Sequence, residues 1–299
     1  MMKILDLKDL NHYKSSSCVT LGFFDGIHLG HQAILSTLIK QAKENNLKSV
    51  VITFDESVLQ LFKMSKNIIS VSDKLTYLEE LGVDYVLLLK TKDNFMGLSA
   101  KEFKENVLDK LNCKVIVSGN DLSFARKKEG NIAFLKENSD YTINVVDDVY
   151  VNNQKISSTY IRNLLLQGNV KLANSLLYKP YSITSNVIEG FKIGRTIGFK
   201  TANINVTPSC YLLKHGVYFG KIIIEDKEYK TMVNVGVNPT INYDQELKVE
   251  AHILDFDLDV YYKYVKLVLE TYYREEIRFE KLEDLKHQLE TDLNNLKSY

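Results

Sequence analysis

The chain's 299 residues exceed one ordinary domain and its 45% apolar content is ample for packed cores, so two domains are expected. Thirty-eight basic residues against 38 acidic ones leave no formal net charge, which removes the electrostatic case for nucleic acid or an anionic membrane as the main partner. Cys18, Cys113 and Cys210 are odd in number and far apart, so they form neither a disulfide framework nor a metal cluster and read as buried thiols of a reducing cytosol.

The amino terminus, MMKILDLKDL, interrupts its apolar residues with charge and does not read as a signal peptide. No later run is long enough to span a bilayer, so a soluble, cytoplasmic protein is expected. Short β-rich runs then alternate with helical patterns. Strands are expected at Cys18 to Leu21, Ser49 to Phe54, Tyr85 to Leu89, Val115 to Ser118 and Tyr141 to Val146. Helices are expected at Ile34 to Asn45, Asp73 to Leu81 and Ala100 to Leu111. Such alternation predicts an α/β domain with a parallel sheet covered by helices on both faces, binding its ligand at the carboxyl ends of the strands.

The turn after the first of these strands reads GFFDGIHLGHQ, from Gly22 to Gln32. A strand that empties through a glycine-punctuated turn into a helix leaves backbone N–H groups free to meet phosphate. His28 and His31, three residues apart, can face one ligand, and each can donate a hydrogen bond to a phosphate oxygen. Gly26 and Gly30 lack a Cβ, which permits unusual φ and a close approach of phosphate. A solvated histidine pair is the plain alternative at any such spacing, but the strand–turn–helix context and the Asp25-Gly26 turn favour nucleotidyl transfer. Zinc fits less well, because no cysteine or further histidine lies at ligand spacing and Asp25 alone cannot complete a site.

A second segment, ISSTYIR at Ile156 to Arg162, opens an amphipathic stretch that runs to Gly168. Its hydroxyls suit a helix start. Together with free N–H groups and the Arg162 guanidinium they also suit an anion site, and the segment alone leaves both readings open. Beyond Lys179-Pro180 the pattern turns to β-rich runs at Tyr181 to Ile188, Gly216 to Ile224, Lys230 to Val235, Val249 to Leu254 and Tyr264 to Tyr272. Strands so spaced predict a compact barrel. A closing helix, Glu280 to Leu296, carries Leu282, Leu285, Leu289, Leu293 and Leu296 on one face, a packing stripe.

Taken in order, GFFDGIHLGHQ, LGVDYVLLL (Leu81 to Leu89), LSAKEF (Leu98 to Phe103), ISSTYIR, GRTIGFKTANI (Gly194 to Ile204), HGVYFG (His215 to Gly220), NVGVNPT (Asn234 to Thr240), VEAHILDFDLDVY (Val249 to Tyr261) and YYREEIRF (Tyr272 to Phe279) form one series. It resembles the prokaryotic bifunctional riboflavin kinase/FAD synthetase family over nearly the whole chain. The resemblance implies a Rossmann-like nucleotidyltransferase domain over residues 1–179 that transfers AMP from ATP to the phosphate of FMN, forming FAD and releasing pyrophosphate. It implies a small β-barrel riboflavin kinase domain with a carboxyl-terminal helix over residues 180–299, using ATP and Mg2+. By similarity His28 and His31 hold the ATP phosphates and stabilise charge at the reacting phosphorus, while Ser158 and Arg162 clamp the phosphate tail. Such chemistry is mostly positioning and electrostatics. Gly22, Phe24, Asp25, Gly26, Gly30, Asp121, Ser157 and Thr159 would add nucleotide and flavin contacts.

In the barrel half, the resemblance assigns Mg2+ and phosphate to Thr201 and Asn203, oxygen donors that suit a hard cation. Glu250 would be the general base toward the ribityl hydroxyl, with Gly194, Arg195, Gly198 and Arg274 completing the binding surface. The implied partners are riboflavin, FMN and ATP, in a monomer or weak homo-oligomer. Three departures from the family stand out: Lys200 where Pro precedes Thr-Ala-Asn, Thr53-Phe54-Asp55-Glu56-Ser57 without the family's histidine and prolines, and Asp121-Leu122-Ser123-Phe124-Ala125 with Leu and Ala where Phe and Gly are common. They bear on whether both activities are kept. The alternatives are FAD synthesis alone, the kinase alone, or a flavin-sensing regulator, against which the intact His28, His31, Thr201, Asn203 and Glu250 argue. A nucleotidyltransferase acting on nicotinamide mononucleotide or phosphopantetheine would leave the second half unexplained.

Overall fold

The computed structural model describes residues 1–61, 67–189, 199, 201–206, 213–237, 247–256 and 260–299, the side chains of 59–61, 237 and 247 excepted. The described residues form two compact units, Met1–Ser158 and Thr159–Tyr299.

Six strands build the main sheet of the first unit; the inner ones, buried on both faces, read as continuous apolar runs, whereas the two at the edges are partly exposed. The six are β1 (Lys3–Leu5), β2 (Ser17–Leu21), β3 (Lys48–Phe54), β4 (Tyr85–Leu89), β5 (Cys113–Gly119) and β6 (Thr142–Val146). They form one sheet in the order β1-β4-β3-β2-β5-β6, parallel throughout. From β2 the chain steps outward to β3 and β4, then returns to the other side of β2 to lay down β5. That reversal makes a crevice at the carboxyl ends of β2 and β5, where α/β sheets hold their ligands. Helix α1 (Leu29–Glu44) buries Leu35, Leu38 and Ala42. A second core gathers Val19, Val50, Ile52, Leu87 and Ile116 with Phe103, Val107 and Leu111.

Three local details differ from the sequence expectation. Helix α1 begins at Leu29 rather than Ile34, because His28 caps it. The expected helix from Ala100 is α-helical only over Ala100–Phe103 and continues as a π turn, Lys104–Leu108. The edge strand β1 was not foreseen, since its three residues are too few to carry a periodicity. Helix α2 (Val71–Glu80) turns Lys74, Tyr77 and Leu78 inward. Cys18 and Cys113 are buried free thiols, and burial pushes the Cys18 thiol up to about 12; Cys210 lies outside the described residues.

The second unit opens with α3 (Ser158–Leu166, whose first residue belongs to the first unit) and α4 (Val170–Leu176). The Asn174 side-chain amide donates to the carbonyl of Leu269 at 2.8 Å and accepts from the Tyr181 N–H at 2.8 Å, tying α4 to the barrel. The barrel strands are β7 (Ser182–Ile188), β8 (Ala202–Ile204), β9 (Gly216–Ile224), β10 (Lys227–Val237), β11 (Leu247–Ile253) and β12 (Tyr264–Arg274). They close in the order β7-β8-β11-β10-β9-β12. The sequence reading supplied five of these; the sixth, β8, is too short to stand out and exists through its pairing with β7 and β11.

The terminal helix α5 (Leu282–Ser298) packs Leu289, Leu293 and Leu296 on Val217, Phe219 and Met232. Only the later part of the leucine stripe is therefore covered, since Leu282 is 56% exposed. A buried ion pair holds this part down: Asp292, with no exposed surface, accepts from Arg274 Nε at 3.1 Å and Nη2 at 2.5 Å, and from Gln288 Nε2 at 2.8 Å.

The departing segment Asp121 to Ala125 carries backbone strain. Ala125 takes φ 64° and ψ 179°, a region essentially reserved for glycine because a Cβ crowds the flanking carbonyls, at a cost of about 1–3 kcal/mol. Glycine's larger unfolded-state entropy offsets part of that. Ala125→Gly is therefore expected to stabilise the first unit by about 1 kcal/mol, read as a higher urea midpoint of its transition; a lowered midpoint would show that Ala125 sits there without strain.

Candidate functional site

In the first unit the site is the turn between β2 and α1. Gly22 N–H donates to the Ile52 carbonyl at 3.1 Å, so the turn leaves the sheet still bonded to β3. Phe24 at φ 49°, Gly26 at φ 82° and Ile27 at φ 41° all take left-handed backbone. A β-branched residue there is strained and persists only when its surroundings over-determine it. Here they do, because Phe24 is 1% and Ile27 0% exposed. Gly26 thus has the unusual φ expected of it, whereas Gly30 has none. Its missing Cβ makes room for a ring: a Cβ would stand 3.2 Å from His28 Nδ1 and Cε1.

His28 is the N-cap of α1, its Nδ1 accepting from the His31 N–H at 3.4 Å. With Nδ1 an acceptor, the ring proton of a neutral His28 sits on Nε2, a donor for an incoming oxygen. The two imidazoles stack with centroids 3.8 Å apart and planes 19° from parallel, and the buried Phe24 ring lies 5.1 Å from His31. Burial first, then His28 and the Lys74 ammonium, hold His31 well below the usual histidine range, so it is neutral at physiological pH. Its Nδ1 is buried and makes no hydrogen bond within the described structure. No acidic residue stands in the first turn of α1, so the positive end of the helix dipole meets the crevice uncompensated.

The other residues expected around this turn divide into two groups. Asp25 is 5% exposed and its Oδ1 accepts from the N–H groups of Ile68 and Ile69 at 2.9 and 3.3 Å, anchoring the approach to α2. Ser158 Oγ donates to the Asp25 carbonyl at 3.0 Å, so the ISST segment docks on the turn through its second serine. Ser157 is half-buried with partners of its own, and Asp121 is exposed just past β5, across the strand-end crevice. Thr159 is exposed and Arg162 half-buried one turn into α3; both belong to the second unit. In the altered segment after β3, Asp55 Oδ1 accepts from the Ser57 N–H and hydroxyl at 3.0 and 2.6 Å, opening the short helix Glu56–Leu61.

Lys74 is the residue the sequence reading passed over. From α2 its ammonium, buried, donates to the Phe54 carbonyl at 2.9 Å, Thr53 Oγ1 at 3.1 Å and the Phe23 carbonyl at 3.2 Å. Burial pushes it down to about 8, with Asp25, Asp55 and Glu56 pulling the other way. The available signal was a lysine sharing the inward face with Tyr77 and Leu78 at helical spacing.

In the second unit, barrel register joins residues far apart in sequence. Asn203 on β8 stands directly opposite Glu250 on β11, and Glu250 is in turn opposite Asn234 on β10. Directly paired residues point to one face, so Asn203, Glu250 and Asn234 line a common row, with Thr201 just ahead of β8. Asn234 was not among the expected site residues, although it opens the NVGVNPT motif; the register is what places it opposite Glu250. Lys248 Nζ lies 2.7 Å from Glu250 Oε1. Beside them the Glu276 carboxylate lies against Gly236, where a Cβ would come 2.2 Å from its Oε1. Arg274, expected among the ligand contacts, forks onto Asp292 and donates from Nη1 to the Glu275 carbonyl at 2.8 Å. Gly194, Arg195, Gly198 and Lys200 lie outside the described residues.

Comparison with known proteins accounts for both arrangements. Residues 10–160 match the family model for FAD synthetase, and residues 177–299 match that for riboflavin kinase. A bifunctional riboflavin kinase/FMN adenylyltransferase of Buchnera aphidicola subsp. Schizaphis graminum is 36% identical over the whole of this chain and 99% of its own length. One of Haemophilus influenzae is 37% identical over the whole chain and 99% of its length. A solved structure from Streptococcus pneumoniae, described as a macrolide-efflux protein, superposes with a TM-score of 0.88 at 31% identity, covering all of both chains. Among the described residues, no helix is long and apolar enough to cross a membrane. With His28 and His31 stacked at a strand–helix turn in one unit, a barrel row of Asn203, Glu250 and Asn234 in the other, and both halves matched in order, the chain belongs to the bifunctional riboflavin kinase/FMN adenylyltransferase family.

Proposed function

We propose that the two units act in sequence on one substrate, the barrel phosphorylating riboflavin to FMN with ATP and the α/β unit adenylylating FMN to FAD with release of pyrophosphate. The observation that carries the reading is the presence of both chemistries' parts in one chain: the capped, stacked His28–His31 pair at a helix start, and the Asn203–Glu250 pairing in the barrel. We assign the protein to the cytoplasm, as a monomer or weak homo-oligomer.

In adenylyl transfer the α-phosphate of ATP is attacked by an FMN phosphate oxygen, and negative charge builds on the phosphorus-bound oxygens and on the departing pyrophosphate. His28 Nε2–H and the free N–H groups of α1's first turn offer donors to that charge without a change of protonation. A neutral His31 at the same turn donates from whichever ring nitrogen holds its proton. Preset donors of this kind act on the barrier because they need no reorganisation as the charge appears. Ser158 and Arg162 serve the phosphate tail, while Gly22, Phe24, Asp25, Gly26 and Gly30 shape the turn that carries the histidines. Asp121, Ser157 and Thr159 remain proposed contacts to nucleotide and flavin.

In the kinase reaction Glu250 takes the proton of the ribityl hydroxyl as that oxygen attacks the γ-phosphate. Lys248 beside it fixes where the carboxylate points. The oxygen donors Thr201 and Asn203 fit Mg2+ by their chemistry, being hard and uncharged. When bound, the metal would neutralise phosphate charge during transfer. Gly194, Arg195, Gly198 and Arg274 complete the proposed binding surface, Arg274 also holding the segment that leads to Glu276.

We place the functional boundary at residues 179 and 180, where the kinase match has begun and the first barrel strand follows. A fragment of residues 178–299 is expected to fold and phosphorylate riboflavin, and one of residues 159–299 to melt higher, because it keeps Asn174 on Leu269 and Tyr181. If only the longer fragment folds, the boundary lies at 158 and 159.

His28→Ala and His31→Ala are each expected to lower FAD formation from FMN and ATP by about 3 kcal/mol of barrier, roughly a hundredfold, while FMN formation from riboflavin is unchanged. Near-parent FAD synthesis in both would remove the pair from the chemistry. Glu250→Gln should depress kcat for FMN formation by about 10²- to 10⁴-fold with riboflavin binding retained. Asn203→Ala should instead raise the Mg2+ concentration needed for half-maximal rate. Parent turnover in Glu250→Gln would make that carboxylate structural.

A further inference from the structure

We propose that Lys74 is a positioning residue of adenylyl transfer: its buried ammonium clamps the Phe23 carbonyl to the end of β3 and so holds the strained turn that presents His28 and His31. The inference rests on the reading of that turn as the adenylyl-transfer site.

A lysine in the interior is costly unless its donors are satisfied. Lys74 has three donors and the structure supplies three acceptors, none of them a carboxylate: the Phe23 carbonyl, Thr53 Oγ1 and the Phe54 carbonyl. All three lie at the ends of the two adjacent parallel strands β2 and β3. Thr53 Oγ1 also donates to the Phe23 carbonyl at 3.2 Å, so the same carbonyl is gripped from two sides. The Phe23 and Phe54 rings, 4.6 Å apart, pack over the junction.

The next residue along the chain, Phe24, is the first to take left-handed backbone, and Ile27 the last before the His28 cap. Strain of this kind needs fixed ends. The sheet holds one end through Gly22 and Lys74 holds it through Phe23, while the helix cap holds the other. Asp25, in the middle, is latched to Ile68 and Ile69, which lead directly into the helix that carries Lys74. Helix α2 thus closes a loop of bonds on the turn, with a carboxylate in one direction and an ammonium in the other.

Lys74 also acts through its charge. It faces Asp25 from the turn, Asp55 and Glu56 from the segment after β3, and His31 from α1, with His28 beyond His31. It adds to what keeps His31 neutral and places positive charge beneath a turn that meets polyphosphate. Its own proton leaves at about 8, so the clamp and the charge weaken together above that pH. Arginine stays charged there.

The test uses the full-length chain, whose riboflavin kinase activity is the internal control. FAD formation from FMN and ATP and FMN formation from riboflavin are measured from pH 6.5 to 9.5 for the parent, Lys74→Met and Lys74→Arg. Misplacing reacting groups by about 1 Å costs about a hundredfold. Lys74→Met is accordingly expected to lower kcat for FAD formation by about that factor below pH 8, the difference narrowing above it as the parent's own clamp is lost, with KM for ATP changed far less and FMN formation unchanged. The parent should lose FAD formation above a midpoint near pH 8, and Lys74→Arg should keep activity with that limb moved upward.

Lys74→Met at the parent rate would overturn the proposal. Should Lys74→Met lack the first unit's thermal transition, the arginine variant decides: a displaced alkaline limb supports the clamp, and a limb identical to the parent's overturns it. A parent chain that makes FMN but no FAD at any pH would instead refute the adenylyl-transfer reading on which the proposal stands.

Discussion

The first unit depends on how a parallel strand can end. Strand β2 is buried on both faces, so its last residues cannot turn aside gradually. The chain must leave the sheet through a short, sharp turn and enter a helix at once. The structure meets that constraint with left-handed backbone at Phe24, Gly26 and Ile27, held by apolar burial and by bonds from neighbouring elements. Because the turn is short, the start of α1 falls on the HxGH segment and its unpaired N–H groups meet the same space as the two imidazoles. The reversal of strand order beside β2 keeps that space open.

The second unit solves a different problem by closure. A barrel has no free edge, so each strand's partners are determined on both sides, and register is correspondingly tight. Strand β8 is only three residues long, yet it lies between β7 and β11 and delivers Asn203 opposite Glu250. The buried Arg274–Asp292 pair fastens the terminal helix near the end of β12. Such a pair confers orientation more readily than net stability, since desolvating both charges offsets much of their attraction. Its consequence is geometric: it governs the path of the Glu275-Glu276 segment that rests against Gly236.

Histidine chemistry at the turn follows from packing rather than from residue type. An exposed HxGH would titrate in the physiological range and bind anions as a cation. Stacked on the capping His28, with its Nδ1 buried and the Lys74 charge acting on it, His31 is neutral and offers hydrogen bonds rather than charge. The site's positive potential then comes from the helix dipole and from Lys74. Gly30 belongs to the same design, its missing Cβ being the space that His28 occupies.

The sequence by itself determined the class of each half, because burial on both faces forces continuous apolar inner strands in the first, and a closed antiparallel sheet forces short β-rich runs in the second. It also located the strand–helix turn that carries His28 and His31, since glycine and histidine at such a junction are local features read at adjacent positions. Tertiary structure alone decided what depends on residues distant in the chain. The cap at His28 starts α1 five positions before the apolar periodicity does, and Lys74 is silent in a motif reading because its partners, the Phe23 and Phe54 carbonyls and the Thr53 hydroxyl, come from a distant turn and strand. Asn234 joins Asn203 and Glu250 only through barrel register. Arg274 is paired with Asp292 on another element, which no local reading shows, and of the leucine stripe Leu289, Leu293 and Leu296 pack on the barrel whereas Leu282 does not. Side-chain identity is written locally, whereas protonation, partner and orientation are set by whatever the fold brings alongside.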